Sequence, residues 1–180
     1  MKESVRRFGD LRNMSKNKSV ITAVLMIFIA AMIGIDQLTK YLIVSSFPLH
    51  HGEALINNFL TFYYVQNTGS AFSFLADKAW GIYVLSGFSA ILSVVVFVFL
   101  IKSVRVEEYL ISISPALLFA GAIGNLIDRI RLRYVVDFIR FDFGSYTFPI
   151  FNVADICAVI GTIMLIAIMI FLPKKAEKVW

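Results

Sequence analysis

Residues 151–172 read FNVADICAVIGTIMLIAIMIFL, so Asn152 and Asp155 stand at the threshold of 17 uncharged residues, 156–172. A run of that length and character is long enough to cross a bilayer as a helix. A carboxylate at the edge of a span is costly and is rarely kept without a task. A second acid stands in comparable surroundings upstream, in Val135-Val136-Asp137-Phe138. Two acids that meet in one such site can share a proton and activate water.

Working outward, three more stretches have the length and character of spans: 20–35, with apolar residues resuming at 41–47 beyond a polar break, then 79–101 and 109–127. The chain of 180 residues is 59% hydrophobic, with a mean hydropathy of +0.80, against about half apolar for soluble domains. The expected fold is a mainly α membrane protein in one four-span domain, residues 20–172, with a basic tail at 1–19 and a short tail at 173–180. A cleaved signal peptide is disfavoured, because apolar character resumes at Tyr41 and no small-x-small site follows the first span.

Charge sets the orientation. Lys2, Arg6, Arg7, Arg12, Lys16 and Lys18 precede the first span, Lys102 and Arg105 lie between the second and third, and Lys174, Lys175 and Lys178 follow the fourth. With four spans these regions share a side, which the positive-inside rule makes the cytoplasm. The net charge of +5 therefore reflects topology. The basic residues flank spans, so no nucleic-acid partner is expected. Cys157, the single cysteine, cannot form an internal disulfide and reads as a small hydrophobe within the fourth span.

The outer segments are then 45–78 and 129–151. The aromatic and β-branched stretches 60–65 and 134–143 read as strands, followed by turns at Asn67-Thr68-Gly69 and Gly144-Ser145. Two such segments can pair into a small sheet resting on the membrane.

Counting outward from the cytoplasmic end of each span at about 1.5 Å per residue puts Asp36 and Asn125 roughly 24 Å up and Asp155 roughly 26 Å up. Three spans thus turn polar at one depth, which suggests a shared site near the outer boundary. Asp36 and Lys40 are four apart and can neutralise each other. Gly121, Asn125 and Asp128 share one helical face, and Gly121 and Gly124 permit close approach of a neighbouring backbone. The plain reading of Asp128 is an ion pair with Arg129 or Arg131, and that of Asp155 a helix cap.

Several chemistries lack their residues. There is no His-Glu-x-x-His or Gly-x-Ser-x-Gly motif, and adjacent His50 and His51 have a poor spacing for a metal. A Ser–Lys pair through Lys40 is opposed by Asp36 one turn away. A carboxylate pair remains, with Asp128, Asp137 and Asp155 as candidates. The competing class is an ion-coupled transporter, which normally places its site at the midplane between repeated halves; neither feature is evident here.

Five blocks carry a resemblance: Asp36-Gln37-x-Thr39-Lys40, Gln66-Asn67-x-Gly69-x-Ala71-Phe72, Gly121-Ala122-x-Gly124-Asn125-x-x-Asp128-Arg129, Val136-Asp137-Phe138 and Phe151-Asn152-x-Ala154-Asp155. In this order they resemble the signature blocks of lipoprotein signal peptidase (signal peptidase II). The resemblance covers about residues 20–172. Ile156 stands where many members have Ser, and the basic tail is longer than such proteins often carry.

The resemblance implies four transmembrane helices with a small extracytoplasmic β-cradle in the bacterial inner membrane. It implies an aspartic endopeptidase that cuts diacylglyceryl-modified prolipoproteins before the lipidated cysteine. It also implies Asp137 and Asp155 as the catalytic pair, with Asp128 supporting; residue spacing alone does not choose between Asp137 and Asp128. The expected supporting or substrate-binding residues are Asn67, Gly69, Asn125, Arg129, Asn152, Asp36, Lys40, Gly121 and Asp128. No metal or other cofactor is expected, and the expected partners are prolipoprotein signal peptides and membrane lipids, met by a monomer.

Overall fold

The computed structural model describes residues 2–69, 80–105, 109–173 and 177, with the backbone alone described for 2–18, 105 and 109–110. Ala71 and Phe72 of the second block, most of the C-terminal tail and Trp180 lie outside the described residues. Helix α1 is Lys2–Ser46, followed by strands β1 (Gly52–Ile56) and β2 (Leu60–Asn67). Helices α2 (Gly81–Arg105) and α3 (Tyr109–Leu132), strands β3 (Val135–Phe143) and β4 (Tyr146–Thr147), and helix α4 (Val153–Phe171) complete the order.

Among the described residues four helices are long and apolar enough to cross a membrane: Ser19–Ser46, Gly81–Val104, Ile111–Leu132 and Val153–Phe171. The first differs from its expected extent. It continues through the polar break at Asp36–Lys40 to Ser46, and the basic N-terminal stretch is helical backbone continuous with it. The break does not end the helix because Asp36 and Lys40 pair across one turn at 2.9 Å, which removes the cost of two separate charges.

Helix α3 is central, with 56% of its apolar window buried against 17–22% in the other three. On one side Ala116 and Ala120 pack with Leu25 and Ile29 of α1 and Leu100 of α2. On the other, small residues let α4 approach closely. A Cβ on Gly121 would collide with the Ala154 carbonyl oxygen, and one on Gly161 would stand 3.0 Å from the Ser114 carbonyl oxygen. Ser114 Oγ donates to the Gly161 carbonyl at 2.9 Å along the same seam.

The strands expected in 45–78 and 129–151 pair with each other. Strands β2 and β3 are antiparallel, with Val65 opposite Asp137 and Leu60 opposite Phe141. The sheet has four strands in the order β1-β2-β3-β4, two more than the sequence suggested. A cluster of Ile43, Tyr64, Val136 and Phe138 seats this sheet on the C-terminal end of α1.

Candidate active site

The first turn of α4 organises the site. A helix leaves its first backbone N–H groups without partners. Asn152 is the N-cap: its Oδ1 accepts from the Asp155 N–H at 2.9 Å. Asp155 Oδ2 accepts in return from the Asn152 N–H at 3.2 Å, closing a capping box. The Ala154 N–H donates to Asp36 Oδ1 of α1 at 2.8 Å. The cap reading of Asp155 is thus corrected: Asn152 is the cap and Asp155 its N3 partner in the box, which leaves the other carboxylate oxygen facing α3.

That oxygen, Oδ1, accepts from Asn125 Nδ2 at 2.8 Å. Asn125 Oδ1 accepts from Lys40 Nζ at 3.0 Å and from Asn152 Nδ2 at 3.0 Å. Lys40 can only donate, so the orientation of the Asn125 amide is fixed by its partners. Asn152 Nδ2 also donates to Asp137 Oδ1 at 2.6 Å and approaches the Val136 carbonyl at 3.3 Å. The second oxygen of Asp137 accepts from Asn67 Nδ2 at 2.8 Å, while Asn67 Oδ1 accepts from the Gly69 N–H at 2.9 Å in an Asx turn. Asp137 on β3 and Asp155 on α4 are thus joined through one residue, Asn152.

Beneath them lies a buried charge cluster. Lys40 Nζ reaches Asp36 at 2.9 Å and Asp128 at 3.0 Å, which with Asn125 uses all three ammonium protons. This corrects the expected partner of Asp128, which pairs with Lys40 and not with Arg129 or Arg131. On α3 the Asp128 carboxylate points towards α1, and it also accepts from the Val136 N–H at 3.1 Å. Gln37 Nε2 donates to Asp128 at 3.0 Å, to Asp36 at 3.2 Å and to the Gly124 carbonyl at 3.2 Å. Gln37 stands in the first of the five sequence blocks but was not among the expected site residues; its further signal was a polar side chain beside Asp36 inside an apolar helix.

Gly124 is required by this cluster, because a Cβ there would lie 2.7 Å from Asp36 Oδ2 and 3.0 Å from the Ala154 Cβ. Gly121 admits the Ala154 backbone one turn earlier. Arg129 is buried and donates from Nη1 to Ser89 Oγ of α2 at 3.1 Å. Its Nε has no partner among the described residues, and its charge acts on Asp155, Asp137 and Asp128. Ser89 is a further residue that the sequence reading missed, one of several serines in an otherwise apolar helix.

Burial and the neighbouring Asp155 push the Asp137 carboxyl up to about 7, against the pull of its bonds from Asn67 and Asn152 and of the Lys40 charge. Such a carboxyl holds a proton over a substantial part of the neutral range, which suits it to give a proton as well as to take one. Among the described residues no group of three His, Cys, Asp or Glu is arranged to hold a metal ion.

Residues 28–171 match the family described as signal peptidase (SPase) II. A lipoprotein signal peptidase of Enterococcus faecalis is 42% identical over 149 residues, covering 83% of this chain and 88% of that protein. One from Psychromonas ingrahamii is 35% identical over 151 residues, covering 83% and 86%. Among solved structures, a bacterial membrane enzyme determined by the in meso method at 2.3 Å resolution aligns with a TM-score of 0.68 at 31% identity, covering 86% of this chain and 90% of that one. Another at 1.9 Å aligns with a TM-score of 0.67 at 30% identity, covering 83% and 94%.

Proposed function

The chain belongs to the signal peptidase II family, and from that premise we propose that it is an aspartic endopeptidase of the bacterial inner membrane. It removes signal peptides from diacylglyceryl-modified prolipoproteins by cutting before the lipidated cysteine. The observation that carries the mechanism is the Asn152 bridge, which bonds to Asp137 through its side chain at 2.6 Å and to Asp155 through its backbone at 3.2 Å.

In this reading Asp137 holds the shared proton. Asp155, in the first turn of α4 where the helix dipole favours negative charge, takes a proton from water. The water oxygen adds to the scissile carbonyl carbon as Asp137 gives its proton to the carbonyl oxygen. The gem-diol collapses, the leaving nitrogen takes the proton that Asp155 received, and Asp137 recovers its own from the diol. No covalent acyl-enzyme forms, and the chemistry uses water alone, with no cofactor. Asn125 and Asn152 hold the acids in place, while Asn67 and Gly69 form the sheet-side clamp on substrate backbone. Lys40, Asp36, Asp128, Gly121 and Gly124 maintain the packing, and Arg129 supplies positive charge beside the acids.

Both termini are cytoplasmic in this reading and the acids sit near the outer leaflet, where an inserted signal peptide brings its cleavage point. Residues 20–172 act as one catalytic domain in this reading, and the enzyme works as a monomer. The test is a cleavage assay with the purified protein in lipid, comparing a diacylglyceryl-modified prolipoprotein with its unmodified form. The expected result is a single cut before the modified cysteine and none in the unmodified form. Equal cleavage of both, or a cut elsewhere, contradicts the reading.

A further inference from the structure

Strand β2 changes register beside the acids. Phe62 stands opposite Ile139 and Val65 opposite Asp137, so Tyr63 and Tyr64 together face the single residue Phe138 of β3. This is a β-bulge, one extra residue that displaces all the pairing beyond it. Side chains alternate between the two faces of a strand, so a displacement of one residue exchanges the faces. Continued without the extra residue, the pairing of Phe62 with Ile139 would set Asn67 opposite Tyr134, on the face of Val136 and away from Asp137. With it, Asn67 stands opposite Val135, on the face of Asp137, and donates to Asp137 Oδ2 at 2.8 Å.

The bulge is held at Tyr64. Its backbone turns from β3 to the loop before β1, where the Tyr64 N–H donates to the His51 carbonyl and the Tyr64 carbonyl accepts from the His50 N–H, both at 3.0 Å. Its ring is buried with Ile43, Val136 and Phe138. There its hydroxyl accepts from Gln66 Nε2 at 3.0 Å and shares a hydrogen bond with the Tyr134 hydroxyl; burial and that bond raise the Tyr134 pKa. Gln66 lies beyond the bulge on β2, and Tyr134 stands at the start of β3. A buried polar group left without its partner is costly, so these bonds favour the register in which the three groups meet.

We propose that Tyr64 and Tyr134 are positioning residues: together with Gln66, their hydroxyls lock the bulge that turns Asn67 onto the carboxyl of Asp137. Neither hydroxyl acts on the acids directly. Both act through Asn67, the residue after Gln66. The inference rests on the proposed function only in treating Asp137 as a reacting group.

The test titrates Asp137 itself, in full-length protein reconstituted in lipid. It reads the infrared band of the protonated carboxyl, with the same protein carrying Asp137→Asn as the blank. The bond from Asn67 holds this carboxyl down against burial and the Asp155 charge. Lys40 of α1, which also pairs with Asp36 and Asp128, and Arg129 of α3 act on it as well, and none of these is altered. Tyr64→Phe and Tyr134→Phe each keep the ring and lose the hydroxyl. Each is expected to move the midpoint up from about 7 by on the order of one pH unit, as Asn67→Ala does. Tyr64→Phe added to Asn67→Ala is expected to move it no further. A merely structural role would lower the melting temperature and leave the midpoint in place; that result in both folded variants overturns the proposal. A full further rise on top of Asn67→Ala also overturns it, because the tyrosines would then act by another route. If Tyr64→Phe does not fold, Tyr134→Phe, whose ring is only partly buried, decides alone. No cleavage is read, so failure of the proposed catalytic mechanism leaves the result standing.

Discussion

Lys40 donates to Asn125 Oδ1 at 3.0 Å, and the amide nitrogen of Asn125 consequently faces Asp155 at 2.8 Å. A buried ammonium on α1 thereby sets a hydrogen bond to a carboxylate on α4 without touching it. The same ammonium pairs with both Asp36 and Asp128, so packing of the helices and alignment of the site depend on one side chain.

Lys40→Met should therefore be doubly damaging. Removing one member of a buried ionic group leaves uncompensated charge and typically costs about 3–5 kcal/mol. The Asn125 amide is also freed to turn. The expected outcome is a large drop in thermal midpoint together with loss of cleavage. Unchanged melting would show that the cluster does not hold the helices together.

Asn152→Ala removes an N-cap, worth about 1 kcal/mol, and the hydrogen bond to Asp137. Cleavage should fall much further than a loss of stability of that size explains. Residual activity measured well below the melting temperature separates the two effects. Near-normal cleavage there would remove the bridge from the mechanism.

Gly124→Ala and Gly121→Ala each insert a methyl where α3 meets its neighbours. At Gly124 the methyl meets the side-chain oxygen of Asp36, and at Gly121 the backbone oxygen of Ala154. Overpacking of this kind costs about 1–3 kcal/mol, and a backbone atom yields less readily than a side chain. Gly121→Ala should lower the thermal midpoint more than Gly124→Ala; the reverse order would contradict the described α3–α4 seam.

The Asp137 carboxyl gives a pH signature. Its affinity for a proton is higher folded, with a pKa of about 7 against 3.8, so between those values the folded state binds more proton than the unfolded. Stability from this group is present below pH 4, declines as pH rises towards 7 and is flat above that. The total is on the order of 4 kcal/mol. Asp137→Asn should flatten that decline in melting curves taken from pH 4 to 8. The proposed mechanism adds that cleavage falls on the alkaline side as the shared proton is lost.

Much of this arrangement was legible in the sequence because it is local. Hydropathy marked the four spans, and aromatic and β-branched runs marked β2 and β3. Strand β1 escaped because Gly52 and Glu53 break any apolar alternation on what is an edge strand, and β4 is only two residues long. The long first helix was read as a span with a polar break because hydropathy falls at Asp36–Lys40, although the i, i+4 pair there keeps the helix continuous. The partner of Asp128 was misread because its pairing is tertiary: its neighbours in the chain are arginines, but its neighbour in space is Lys40. Depth counting brought Asp36, Asn125 and Asp155 to one level, and the structure joins Asp36 to the first turn of α4 and Asn125 to Asp155. Nothing in residue spacing chose Asp137 over Asp128, because the difference lies in which carboxylate Asn152 reaches and which one Lys40 neutralises.

The most direct measurement is cleavage of a diacylglyceryl-modified prolipoprotein by Asp137→Asn and Asp155→Asn in lipid, each first shown by its melting curve to be folded. The account predicts that both bind the substrate and neither cuts it. Cleavage by either folded variant at the wild-type rate would contradict the shared-proton pair.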